Sequence, residues 1–435
     1  MLNKLKRAEK IKFLFFVPLY KFCKMILKIK ICSIILFMLL NKSSFSQSTV
    51  AFNLNNSQMA ESTAVDPTLN FFENTASLDQ LFNKLYQLKQ NNSNQKVVFT
   101  HIGDSHIQAD KMTTIVRTEL QNNFGNGGRG LIFPFQLAKT NAPTDIKSTS
   151  KSIWTSSRLS KINNNMSCGI AAYGIASNDS NSEINFKLVD SLKNSFNQID
   201  LFFNKGIQSV SIVLDGTTEE VAVDSTSQFL SFKLPRVTTA LSVQLHASTA
   251  QSILFFGASA QNNTTSGIIY NAIGANGAKI SDYYNAPIFW EQLPYLNTDC
   301  YIVSLGTNEA QNQKLNIDDY LNQLDLMVKK VQYTSPNAPI IFISPPVSYF
   351  KKIKPNKTLS IITDILKQFC AKNNIVFYDL YHISKGPYGA TTWRKQKLLN
   401  TDLVHFTNAG YTLQGALLTK AFAKAYNDFV STIKN

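Results

Sequence analysis

The stretch Val97-Val-Phe-Thr-His-Ile-Gly-Asp-Ser-His-Ile-Gln108 constrains the fold of this chain more than any other. Val97 to Ile102 is a short apolar run, mostly β-branched or aromatic, as expected of a buried strand. Gly103 ends it, and Gln108 to Asn123 then reads as a helix with Ile115, Val116 and Leu120 at helical spacing. Ser105 therefore falls on a tight strand-to-helix turn. A hydroxyl there stands at the carboxyl edge of a parallel sheet, against the positive end of a helix. Such a serine is either a helix cap or a nucleophile. A nucleophile needs a base, and Asp402 and His405, spaced D-x-x-H near the C-terminus, are the candidates.

The rest of the chain repeats the strand-then-helix rhythm with one interruption. Strand-like runs occur at 267–273, 300–305, 340–344 and 375–378, with helical stretches at 279–293, 317–333 and 359–372 between them and a last helix over about 408–429. An earlier helix is expected at 78–89, with Ser77 as its cap. With the Ser105 strand this makes a five-stranded parallel sheet covered on both faces, an α/β fold whose site lies at the carboxyl ends of the strands. Ser105, Gly277 and Asn308 follow three of those strands. Between about residues 150 and 257 the pattern changes to short alternating runs separated by Asn, Asp, Gly, Ser and Thr clusters, which reads as an inserted β-sandwich.

At 435 residues the chain can bury a large core, and its 44% hydrophobic content fits a globular protein. The net charge of +15 invites a nucleic-acid reading, but residues 1–46 hold ten Lys/Arg against one Asp/Glu, and the remainder 33 against 27. No basic run tracks phosphates, so no nucleic-acid partner is expected. The basic leader contains an apolar stretch, Ile31 to Leu40, followed by small residues at Ser44 and Ser46. It reads as a secretory signal cleaved near Gln47, with Met25 an alternative start and an uncleaved anchor the competing account. A cleaved signal leaves no stable membrane insertion and an exported, periplasmic or extracellular protein. The expected division is signal 1–46, polar linker 47–68, first part of the catalytic domain 69–147, insert 148–258 and second part 259–435. Cys23 and Cys32 go with the leader; Cys168, Cys300 and Cys370 are widely spaced and expected as buried free thiols. No Cys, His, Asp or Glu grouping has metal-ligand spacing, so neither metal nor other cofactor is expected.

Ester hydrolysis needs a nucleophile, a base and donors for the oxyanion. Ser105 would attack, His405 would take and return the proton, and Asp402 would orient the imidazole. The backbone N–H groups of Ser105 and Gly277 and the Asn308 amide would serve the oxyanion, such donors contributing about 3–4 kcal/mol each. Gly103-Asp-Ser-His106, Gly274-Ala-Asn-Gly277, Gly306-Thr-Asn-Glu309 and Asp402-Leu-Val-His405 resemble, in order, the four blocks of the SGNH (GDSL-like) hydrolase superfamily. His106 stands where that family commonly has leucine. This variant, the later blocks and the β-insert after the first are similar to bacterial peptidoglycan O-acetylesterases. The resemblance implies acetyl esters on the C6 hydroxyl of N-acetylmuramic acid as substrate and an insert like a carbohydrate-binding module. An O-acetyltransferase, an esterase for another acetylated polysaccharide and an inactive glycan-binding protein remain open at this stage.

Other features have bland accounts beside the sharp ones. The Gly-rich segment Phe124–Gly130 follows a helix and lacks the Lys-Ser/Thr of a P-loop, so turns explain it better than phosphate binding. Trp154, Trp290 and Trp393 are expected to pack in cores. His101, His246 and His382 read as structural or exposed, and Arg129 is a minor candidate for pairing with a glycan carboxylate. The insert itself is expected to contribute none of the catalytic groups.

Overall fold

The computed structural model describes residues 50–54, 62–90, 95–163, 165–248, 251–312 and 314–433. The expected signal segment and residues 47–49 and 55–61 of the expected polar linker lie outside these residues.

The main sheet has six strands in the order 72–73, 376–378, 340–343, 300–304, 96–103, 267–274. Five are mutually parallel, and Phe72–Glu73 adds an antiparallel sixth at one edge against Val376–Tyr378. The expectation of five strands is corrected here. Two residues have no alternation to read, and it is the exposed edge of the last parallel strand that recruits them. Lys96–Gly103 is buried along nearly its whole length, as a strand covered on both faces must be.

Numbered along the chain, the parallel strands lie in the order 2-1-3-4-5. Chain direction therefore reverses between the first, Lys96–Gly103, and the third, Cys300–Ser304, which pair with Gly103 opposite Ser304. A crevice opens beyond the carboxyl ends at such a switch point, because the loops that follow leave the sheet toward opposite faces. Ser105 and Asn308 leave the sheet from these two strands.

Several helices differ from expectation in their ends. The helix Asp79–Lys89 is preceded by a 3₁₀ turn, Thr75–Leu78, so Ser77 is inside that turn and does not cap the helix. The helix after Ser105 is two pieces, Ser105–Gln108 and Lys111–Phe124, broken at Asp110, whose φ is +54°. The stretch expected at 279–293 is Ile280–Tyr284, Pro287–Gln292 and a 3₁₀ turn; Pro287 and Pro294 each stand at the start of a new segment, where their missing N–H is harmless. The final helix runs Asn408–Ile433.

Residues 146–261 form two antiparallel sheets. One has the order 217–222, 207–214, 240–247, 181–188, 146–149; the other 229–238, 196–203, 253–261, 173–177, 155–158. Their inner faces carry the apolar positions of each alternating run, and Phe186 of one meets Phe255 of the other with ring centroids 6.1 Å apart. The pairing passes beyond the limits expected from sequence. Gly128–Ile132, from the Gly-rich segment, pairs antiparallel with Ile253–Gln261. Its preceding residues bond the catalytic sheet, Gly127 N–H to the Ile268 carbonyl at 3.0 Å, and Leu131 N–H reaches the Asn271 side chain at 2.9 Å. A Cβ on Gly128 would stand 2.6 Å from Gln261 Cα, so this close approach needs glycine.

Arg129 has no glycan role to offer. It is fully buried and bonds Asp110 at 2.5 Å and Asp145 at 2.8 Å, joining the first helix to the insert's approach. Trp154, Trp290 and Trp393 are buried with their indole N–H groups bonded to Ser150 Oγ, the Tyr283 carbonyl and the Ala64 carbonyl. Cys168, Cys300 and Cys370 are buried free thiols whose pKa burial pushes up. Among the described residues no helix is long and apolar enough to cross a membrane.

Candidate active site

The turn after Gly103 places Ser105 by local hydrogen bonding. Asp104 caps the short helix, its carboxylate accepting the His106 N–H at 2.9 Å, and this orients the following residues away from the strand. The Tyr283 hydroxyl donates to the Gly103 carbonyl at 2.7 Å, beside a longer bond from the Ala275 N–H at 3.4 Å. Asp104 is buried, and burial above all pushes its pKa up to about 6 against its hydrogen bonds and the nearby His405.

The loop 399–407 brings Asp402 and His405 to Ser105. Asp402 Oδ1 accepts the N–H of Val404 at 2.9 Å and of His405 at 2.8 Å, a turn in which the side chain substitutes for a backbone acceptor. The D-x-x-H spacing thereby folds the imidazole back onto the same carboxylate. His405 Nδ1 lies 2.8 Å from Asp402 Oδ2, and His405 Nε2 lies 2.7 Å from Ser105 Oγ. Burial works against the Asp402 charge, but the two backbone N–H groups and the imidazole outweigh it and hold the carboxyl below its usual pKa. An ionised Asp402 keeps the proton on Nδ1 and leaves Nε2 to accept from the serine. The three residues lie far apart in sequence, and the structure joins them in one relay.

Gly277 and Asn308 stand at the same edge, and the structure treats them differently. Gly277 has φ +79°, a left-handed turn conformation, and neither its N–H nor that of Ser105 has a partner among the described residues. Backbone donors without a protein partner are what an oxyanion requires. Asn308 instead donates to the Ala278 carbonyl at 2.9 Å and to Asp104 at 3.3 Å. Its amide braces the Gly277 turn against the Ser105 turn, and it reaches an oxyanion only by giving up the longer bond.

Sequence reasoning missed the groups that hold this edge. Gln108 donates to Thr140 at 2.9 Å and to the Asn141 carbonyl at 3.0 Å, while its Oε1 accepts the Asn276 N–H at 2.9 Å. Tyr173, from the insert, donates to the same Oε1 at 2.7 Å. Ser160, also from the insert, donates to the Asn276 carbonyl, and its side chain is 3.4 Å from where a Gly277 Cβ would be. The insert thus holds the carbonyl of the same peptide unit that carries the Gly277 N–H. No spacing links residues 160 and 173 to residue 276, so no sequence signal could have found them. Glu309 is another: its buried carboxyl accepts the Ile280 N–H at 2.9 Å and ties the third strand's loop to the segment after Gly277.

His106 lies beside the base, with its ring centroid 5.3 Å from that of His405 and its Nδ1 3.1 Å from the Tyr411 hydroxyl. Burial, helped by the neighbouring His405, holds its pKa down at about 3, so it is neutral and adds no charge to the relay. Asp379 and His382 repeat the D-x-x-H geometry, with Nδ1 2.8 Å from Oδ2. There the nearby Ser344 hydroxyl bonds Asp379 and the Tyr381 N–H instead of the imidazole, so no second relay forms. Among the described residues no His, Cys, Asp and Glu side chains group as metal ligands.

A Ser-His-Asp relay at the switch point of an α/β core is the arrangement that serine hydrolases use. Residues 245–413 match the GDSL-like Lipase/Acylhydrolase family, a span that includes Gly277, Asn308, Asp402 and His405 and begins beyond Ser105. A solved peptidoglycan O-acetylesterase is similar over 82% of this chain and 98% of its own, with a TM-score of 0.70 at 20% identity. A lipase/acylhydrolase from Enterococcus faecalis (18% identity, 37% of this chain, 77% of that one) and a family two carbohydrate esterase from Cellvibrio japonicus (10%, 66% and 99%) are far less alike, each with a TM-score of 0.29. No curated protein sequence matches the chain. The chain thus resembles GDSL-like acylhydrolases in sequence over residues 245–413, and in fold it is similar to a solved peptidoglycan O-acetylesterase.

Proposed function

We propose that this protein removes O-acetyl groups from cell-wall glycan, with the 6-O-acetyl ester of N-acetylmuramic acid in peptidoglycan as its substrate. One observation carries the chemistry: Ser105 Oγ, His405 and Asp402 form a continuous relay of 2.7 and 2.8 Å at the sheet's switch point. Ser105 attacks the acetyl carbonyl as His405 takes its proton, and the tetrahedral oxyanion is held by the N–H groups of Ser105 and Gly277, with Asn308 turning from Asp104 to join them. His405 returns the proton to the sugar oxygen, the alcohol leaves, and water attacks the acetyl-serine by the reverse route. The substrate rests on likeness of fold to a peptidoglycan O-acetylesterase across nearly the whole of that protein.

In this reading residues 69–147 and 259–435 are the hydrolase, 148–258 a glycan-holding β-sandwich, and 1–46 an export signal that delivers the enzyme to the periplasm or cell exterior. The basic, apolar leader and the facing antiparallel sheets support these assignments. The test is acetate release from O-acetylated peptidoglycan, with Ser105→Ala as the comparison. The substitution removes one hydroxyl from a half-buried turn and should abolish release while leaving the thermal transition unchanged. Turnover by folded Ser105→Ala protein would sink the mechanism. Acetate appearing on an added glycan acceptor, with none free in solution, would make the enzyme a transferase.

A further inference from the structure

One stretch of the molecule is strongly basic. Residues 345–401 carry ten Lys/Arg against two Asp/Glu, whereas residues 47–435 as a whole carry 33 against 27. Elsewhere, outside the leader, acids outnumber bases. Residues 345–357 follow the fourth parallel strand and residues 379–401 the fifth, so both segments leave the sheet at its carboxyl edge, with the helix Thr358–Lys372 between them.

Its centre is a hairpin, Tyr349–Phe350 paired with Lys354–Pro355. The turn holds Lys351 and Lys352 at φ +49° and +59°. Consecutive left-handed residues at a hairpin tip favour glycine or asparagine, so lysines here are not chosen for the turn. Lys351, Lys352, Lys354 and Lys357 are all exposed, and no carboxylate pairs with them among the described residues. The hairpin is tied to the site at two points. Tyr349 N–H donates at 2.8 Å to the carbonyl of Leu403, between Asp402 and His405, and Asn356 donates at 2.9 Å to the carbonyl of Ala310, two residues past Asn308.

Beside the hairpin an open cleft of about 750 Å³ is lined by Lys354, Lys357, Tyr381, Tyr388, Thr391 and Thr392, among others. Tyr388 is 83% exposed, a large ring that contributes little to the core. Ring face, hydroxyls and ammonium groups together suit a sugar chain that bears negative charge. Asp364 and Asp379 are the acids within electrostatic reach of Tyr381, and Asp379 is already engaged by His382.

We propose that this lysine-rimmed cleft is a subsite for an anionic stretch of the acylated glycan, its sugars against Tyr388 and its carboxylates on Lys354, Lys357 and the hairpin tip. The inference rests on the glycan-esterase reading and adds to it that the preferred polymer is charged. In peptidoglycan the carboxylates are those of the peptide stems; in another polysaccharide they are those of acidic sugars.

The probe is insoluble peptidoglycan with intact stems, alongside the same glycan stripped of its stems, a uronic-acid polysaccharide and neutral acetylated xylan. Binding by co-sedimentation needs no turnover, so it is read separately from acetate release. Lys351, Lys352, Lys354 and Lys357 are changed together to Gln; they are exposed, and hydrolysis of a small neutral acetate ester should stay within about twofold as a check on folding. At low salt the quadruple variant should bind stem-bearing peptidoglycan roughly tenfold more weakly than the parent, and the parent's advantage should shrink at about 0.15 M salt, where the screening length is about 8 Å. Neutral xylan should not distinguish the two proteins. Loss on stem-bearing but not stripped glycan assigns the carboxylates to the stems; equal loss on the uronic-acid polymer assigns them to acidic sugars. Tyr388→Ala should weaken binding to charged and neutral polymers alike. Unchanged binding of the quadruple variant to every charged polymer overturns the proposal, whatever the esterase assay gives. Failure of the parent to release acetate from any substrate overturns the esterase reading, whatever the sedimentation gives.

Discussion

Glu309→Gln offers a quantitative test of how the loop beside Asn308 is held. One carboxyl oxygen of Glu309 accepts the Ile280 N–H at 2.9 Å; the other, like the Tyr320 hydroxyl, is buried with no partner among the described residues. Burial foremost, with a smaller contribution from Asp104, pushes its pKa from 4.5 up to about 7, against two backbone hydrogen bonds that favour the charge. The folded pKa exceeds the unfolded one, so the folded protein holds this proton more tightly. Stability is therefore highest below pH 4.5 as far as this group is concerned, and it falls as pH rises through about 7. At 1.36 kcal/mol per pKa unit the full fall is roughly 3 kcal/mol, an upper figure because the site can relax. Glutamine keeps the acceptor for Ile280 and cannot ionise. Its absolute stability depends on how the new amide is accommodated, but that offset is the same at every pH. The measurement is denaturant unfolding of parent and variant at about pH 4 and about pH 8, comparing the two differences. The variant should gain on the parent by up to about 3 kcal/mol between these limits, while Asp104, raised to about 6 for the same reason, keeps its own slope in both proteins. If the gap between the two proteins is the same at both pH values, Glu309 is not a buried acid with a raised pKa, and the account of this loop is wrong.

The remaining predictions concern the oxyanion edge and the expected lack of a metal requirement. Asn308→Ala should lower kcat on a small acetate ester by roughly 10²–10³ with KM little changed; a rise in KM alone would make Asn308 a substrate contact. Ser160→Ala removes a donor to the Asn276 carbonyl, a bond of about 1 kcal/mol, so kcat should fall roughly fivefold while the thermal midpoint barely moves. Full activity in that variant would mean the insert does not position Gly277. A chelator should leave hydrolysis unchanged, and loss restored by one added metal would overturn the serine mechanism as the whole account.

The relay residues were legible because local chemistry marks them. A buried β-branched run ended by Gly103-Asp104-Ser105 can hardly be other than a strand entering a helix, and Asp402-x-x-His405 is a turn that closes on itself through the Asp402 side chain. The buried parallel strands were readable for a similar reason, since burial on both faces demands continuous apolar runs whatever lies beside them. The edge strand Phe72–Glu73 was not, because two residues carry no period and their partner is three hundred positions away.

Sequence alone, then, determined which groups could react and which segments form the sheet, because each is set by residues within a turn or a strand of one another. Tertiary structure alone decided how those groups are held. Asn308 appears in sequence as an oxyanion donor, and only the folded chain commits its amide to Ala278 and Asp104. Arg129 reads as a possible ligand contact, and only packing encloses it between Asp110 and Asp145. The insert reads as a separate β-sandwich without catalytic groups, and only the folded chain brings Ser160 and Tyr173 to the Gly277 turn and its Gln108 support. Hydrogen bonds across a hundred or more residues leave no pattern in either partner, because any hydroxyl or amide can make them once the fold has brought it there.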